Sequence, residues 1–142
     1  MITNERQYQI SKAQIAKFRT AIDAPDANTR ALHPRAQKAL REAVRSQLDD
    51  LLGEVADYEQ LRDGQLTSIT AESIADLAPA LIKARIMRKW TQKELADKLE
   101  VAEQQVQRYE ATQYKGVSVE RLQAVADALR LRVREVITFE LL

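Results

Sequence analysis

The chain has 142 residues, 45% hydrophobic and 5% aromatic, enough for one ordinary domain or two small ones with a real core. It holds three Gly, three Pro and no Cys, a composition that favours helices and excludes disulfides and thiolate metal sites. The net charge of +1 is unevenly divided: residues 1–78 carry 10 basic and 12 acidic side chains, residues 79–142 carry 12 and 9, so only the C-terminal half suits a polyanionic partner.

Met1-Ile2-Thr3-Asn4-Glu5-Arg6 is polar rather than basic and then apolar, so no secretory signal is visible there. No apolar run approaches the roughly 20 residues that cross a bilayer. The expectation is a cytoplasmic protein with no membrane partner. Ser11-Lys12-Ala13-Gln14 has the form of a capping box, and Ile15, Phe18 and Ile22 follow at helical spacing, which predicts a helix over about 12–23. Pro25, Asp26, Asn28 and Thr29 make a loop, in which the single His33 is expected to be inert.

Pro34 suits the first turn of a long helix reaching Gly64. Leu40, Val44, Leu48, Leu51, Val55 and Tyr58 step by threes and fours along it, a heptad-like seam expected to serve oligomerisation. Its charges are segregated. Arg35, Lys38, Arg41 and Arg45 lie early, and Asp49, Asp50, Glu54, Asp57, Glu59 and Asp63 lie late, opposite to what the helix dipole prefers. An antiparallel neighbour would compensate, either a second copy or the basic helix 12–23; a solvated face is the plainer alternative.

Gly64–Thr70 and a short helix near 71–77 lead into four closely spaced amphipathic segments, over about 79–90, 91–99, 101–110 and 118–129. Thr91 and Glu94 form a capping box at the start of the second. Only three or four residues around Glu100 separate the second from the third, so the two helices must cross sharply. The third buries Val101, Val106 and Tyr109 and leaves Glu103, Gln104, Gln107 and Arg108 on its other face. Amides and a guanidinium there suit base edges, Gln for adenine and Arg for guanine, against the alternative of a plain polar surface.

Leu81-Ile82-Lys83-Ala84-Arg85, Thr91-Gln92-Lys93-Glu94-Leu95-Ala96, Val106-Gln107-Arg108-Tyr109-Glu110 and Leu122 to Leu129 together resemble the Cro/CI-like, or Xre, helix-turn-helix of phage repressors and antitoxins. The resemblance covers about residues 79–137. It implies an autorepressor that binds double-stranded DNA, at a palindromic operator and as a homodimer, with a toxin protein as a further possible partner. It also implies base contacts from Gln104, Gln107 and Arg108 with Glu103 beside them, and phosphate contacts from Gln92, Gln105, Tyr114 and Lys115. Lys93 joins the phosphate candidates, with a solvated lysine as its alternative. Arg85 and Glu110 fall where the family carries an interhelical salt bridge. Glu100 stands where the family usually has Gly, and Glu103 would repel phosphate unless it meets a cytosine amino group.

In the tail, Leu131, Val133, Ile137, Phe139 and Leu141 alternate like a strand, although a last helical turn fits as well. Ile137, Phe139 and Leu141 are expected to find cover against a partner subunit. One His and scattered carboxylates and glycines suggest no catalytic residues, no metal and no cofactor. The expected fold is all-α: a five-helix helix-turn-helix domain over 79–142, a linker over 65–78, and an N-terminal helical hairpin with one long coiled-coil-like helix over 1–64. That N-terminal region is expected to serve oligomerisation or partner binding.

Overall fold

A computed structural model describes residues 1–142. Every regular element is helical. The chain divides into two compact units, Met1–Gln65 and Leu66–Leu142. Most of the segment expected as a linker therefore belongs to the second unit.

The first unit is a hairpin. Helix α1 (Glu5–Asp23) begins at Asn4, whose side chain accepts from Gln7 N at 2.8 Å, while Gln7 Oε1 accepts from Thr3 N at 2.8 Å. This reciprocal cap starts the helix earlier than the Ser11 box suggested, and Ser11 is buried inside it instead. A short helix α2 (Ala27–Arg30) is capped by Asp26, which accepts from Thr29 N at 2.8 Å; that bond holds the Asp26 carboxyl below its ordinary range. His33 is not inert. Its Nδ1 accepts from Arg35 N at 3.1 Å and caps α3 (Pro34–Asp63), which closes on Gly64 at φ 67°.

Helices α1 and α3 run antiparallel, the start of one beside the end of the other. The rings of Tyr8 and Tyr58 lie 5.2 Å apart, and the Tyr8 hydroxyl donates to Glu59 at 2.5 Å. The Arg62 guanidinium lies 4.7 Å from the Tyr8 ring and pairs with Glu5 at 3.5 Å. Val55, Tyr58 and Leu61 are buried, as are Tyr8, Ser11 and Ile15 on α1. The seam thus needs correcting: Tyr58 already packs against Tyr8 within the chain, and the buried Val55 has no free face. Leu40 is exposed, and Val44, Leu48 and Leu51 are half-buried.

The second unit holds a 3-10 turn (Ile74–Asp76) and helices α4 (Leu77–Met87), α5 (Gln92–Leu99), α6 (Glu103–Ala111) and α7 (Val119–Ala128). Leu81, Ile82, Leu95, Val106, Val125 and Leu129 lose nearly all solvent contact, each contributing about 1.5–3 kcal/mol of burial. All four α-helices end alike, with no glycine at the left-handed position. Lys89, Glu100, Gln113 and Arg130 have positive φ, and after α6 alone the next residue, Tyr114, has it too, at 57°. The next residue donates back to a carbonyl five positions earlier: Trp90 to Arg85, Val101 to Ala96, Tyr114 to Tyr109 and Leu131 to Ala126, at 2.7–3.2 Å. Those four residues are apolar or aromatic, as a hydrophobic stop requires. From Arg132 onward there is no regular structure, and Ile137, Phe139 and Leu141 are almost fully exposed. No helix is long and apolar enough to cross a membrane.

Candidate nucleic-acid interface

Two local devices hold α5 and α6 at their crossing. At the start of α5 the capping box closes fully: Glu94 N donates to Thr91 Oγ1 at 3.1 Å and Thr91 N to Glu94 Oε2 at 2.6 Å. At its end, Glu100 takes φ 57° and ψ 41°, and Val101 N donates to Ala96 O at 3.0 Å. The chain then re-enters a helix at once, with Ala102 as an N-cap that has no side-chain bond to offer. Leu95 and Ala96 on α5 and Val106 on α6 are buried.

Beneath the turn sits a buried polar network. Glu110 takes Arg85 Nε on one oxygen, and on the other Arg85 Nη2 at 2.9 Å and Gln92 Nε2 at 2.8 Å. Arg85 Nη1 also donates to the Trp90 carbonyl at 2.6 Å. The network joins α4, α5 and α6, and its charges are paired and hydrogen-bonded as burial requires.

With Val106 and Glu110 inward, α6 turns Glu103, Gln104, Gln107 and Arg108 to solvent. These are two i,i+4 pairs, so they share one side of the helix. Gln107 Nε2 leans on Glu103 Oε1 at 3.5 Å. The family model described as helix-turn-helix matches residues 81–136, from α4 to beyond α7. This segment is an Xre/Cro-like helix-turn-helix domain. No curated protein and no solved structure matches the chain.

Helix-turn-helix domains of this kind are DNA-binding modules of transcription regulators, and α6 is the second helix of the α5–α6 pair. Of the residues expected at phosphates, Lys115 is exposed and Gln105 half-buried. Lys93 is exposed and lies 3.4 Å from Asp97, its neighbour one turn on. Gln92 is buried, with its amide turned to Glu110. Tyr114 departs from the expectation. Its ring stacks on Tyr109 at 5.5 Å and its hydroxyl is buried without a partner, so no exposed phenol is left to meet a phosphate. It is the hydrophobic stop of α6, which is why it faces inward.

Arg88 escaped the sequence reading. Its Nε donates to Leu129 O at 3.0 Å and its Nη2 to Arg130 O at 3.1 Å, tying the end of α4 to the end of α7. An arginine facing terminal helix carbonyls is a familiar pairing, but only the tertiary fold shows which helix supplies them.

Proposed function

We propose that the protein is a cytoplasmic autorepressor that binds a palindromic operator as a symmetric dimer and blocks transcription by occupying it. The exposed face of α6, with Gln104, Gln107 and Arg108 in a row beside Glu103, carries this reading. Bidentate amide and guanidinium contacts each discriminate by about 1–3 kcal/mol between base pairs. A rigid, buried Arg85–Glu110–Gln92 network fixes the crossing of α5 and α6, so the reading face is preorganised rather than formed on contact. Lys115 and Lys93 are the candidates for phosphate contacts that set register, while Ile137, Phe139 and Leu141 offer apolar surface for a second subunit.

The test is fluorescence anisotropy with the duplex upstream of the protein's own gene, against a scrambled duplex, at two salt concentrations. Arg108→Ala and Gln104→Ala are each expected to weaken binding to the operator roughly tenfold or more and to leave the scrambled duplex little changed. Equal weak binding to both duplexes, indifferent to the substitutions, would overturn the reading.

A further inference from the structure

The two helices of the first unit differ greatly in length, 19 residues in α1 against 30 in α3. Because Glu5 lies beside Arg62, α1 reaches back only to about Val44, and beside the first turns of α3 lies only the short α2, whose Arg30 carbonyl accepts from Gln37 Nε2 at 3.0 Å. Burial follows that geometry. Val55, Tyr58 and Leu61 are enclosed, Val44, Leu48, Leu51 and Leu52 are half-buried, and Leu40 is 42% exposed.

The charges along the same helix are mirrored. Arg35, Lys38, Arg41 and Arg45 precede Ser46, and Asp49, Asp50, Glu54 and Asp57 follow it at nearly matching distances. Seven of these eight make no ion pair within the chain; Lys38 alone does, a long 3.8 Å contact with Glu42. The covering helix α1 therefore neutralises neither run.

We infer that α3 pairs with the α3 of a second copy of this chain, antiparallel and crossing near Ser46, through its uncovered first turns and the unpaired charges on either side of Ser46. In that register Arg35 comes level with Asp57 and Lys38 with Glu54 of the other copy, while Arg41 and Arg45 fall within about one turn of Asp50 and Asp49. The apolar positions repeat in the same way, Val44 level with Leu48 and Leu40 with Leu52. A parallel arrangement would set like charge against like along the whole contact, which is destabilising. The two macrodipoles also oppose each other favourably in the antiparallel case. This inference rests on the dimeric reading above but concerns the first unit alone.

The test uses the full chain without DNA, by sedimentation equilibrium. Wild type is expected to be a dimer. Reversing the basic run (Arg35→Glu, Lys38→Glu, Arg41→Glu, Arg45→Glu) or the acidic run (Asp49→Lys, Asp50→Lys, Glu54→Lys, Asp57→Lys) should weaken it about a hundredfold, and an equimolar mixture of the two variants should dimerise again. Recovery in the mixture rules out misfolding of either variant. Orientation is read separately in an otherwise unaltered chain, which has no cysteine of its own. A spin label on Ala36→Cys should lie roughly 30 Å from its mate in an antiparallel dimer and about 10 Å away in a parallel one. A monomeric wild type, a dimer indifferent to both reversals, a mixture that stays monomeric, or the short distance would each overturn the inference. Loss of operator discrimination with this dimer intact would instead count against the DNA-binding reading alone.

Discussion

Arg85 on α4 and Glu110 on α6, 25 residues apart in sequence, meet in a forked ion pair whose side chains are 3% and 1% exposed. Such a pair contributes little compared with a well-packed apolar substitute, because both ions give up their hydration. Breaking it from one side is costly, since the remaining charge stays buried. Its value here is positional: Glu110 also holds Gln92 at the start of α5, so one carboxylate sets three helices.

Glu110→Ala should therefore destabilise the second unit by about 3–5 kcal/mol, whereas the double change Arg85→Met with Glu110→Leu should recover most of that loss. Trp90 is the only tryptophan, so its fluorescence during urea unfolding reports on this unit alone. If the double variant were as unstable as the single one, the pair would be contributing net stability rather than position.

Glu100 occupies the left-handed position between α5 and α6. A residue with a Cβ carries roughly 1–2 kcal/mol of strain there, while glycine adds about 0.5–1 kcal/mol of chain entropy on unfolding. Glu100→Gly should consequently raise stability by about 0.5–1 kcal/mol, read as a higher urea midpoint with unchanged slope. A fall in the midpoint would mean that the glutamate side chain makes a compensating interaction in solution.

The helices of the second unit, the short connection between α5 and α6 and the outward side of α6 were legible because each rests on local signals, periodicity and the Thr91–Glu94 box, while Val101 and Tyr109, expected inside, are half-buried. The stops were not. None of the four helices of the second unit ends in glycine, so the usual mark was missing at Lys89, Glu100, Gln113 and Arg130. Tyr114, which follows Gln113, is expected at a phosphate only by the family resemblance, and nothing in its local pattern marks it as an inward stop. Likewise Asn4, His33 and Arg88 act through single hydrogen bonds whose partners sequence pattern does not reveal. The seam of α3 was visible as a row, but which half α1 covers depends on the hairpin register.

Tyr114 carries a buried hydroxyl with no partner, a loss of about 1–3 kcal/mol relative to a hydrated one. Tyr114→Phe should leave operator affinity within about twofold and stabilise the unit by about 1 kcal/mol. The substitution also has a pH signature. Burial foremost, and the Glu110 carboxylate after it, push the Tyr114 phenol well above its ordinary value of 10.0. Below that value folded and unfolded chains both keep the proton, and the contribution is fully present. As pH rises past 10 the unfolded chain releases the proton first, so stability falls. The phenylalanine variant should lose part of this alkaline sensitivity in melts between pH 9 and 11. A tenfold loss of DNA affinity with the fold intact would instead return the hydroxyl to a phosphate.

Glu103 has two physical uses that can be separated. In the first turn of α6 its charge complements the helix dipole, worth about 0.3–1 kcal/mol, and Ala102 provides no side-chain cap in its place. Its exposed carboxylate also repels phosphate, yet accepts from a cytosine amino group. Glu103→Gln should raise affinity for a scrambled duplex a few-fold, and lower the operator-to-scrambled ratio by about tenfold if that cytosine contact is made. Anisotropy titrations at two salt concentrations resolve both quantities, and a Trp90 melt gives the dipole contribution. Affinities that rise together with an unchanged ratio would confine Glu103 to the helix dipole and the backbone, leaving discrimination to Gln104, Gln107 and Arg108.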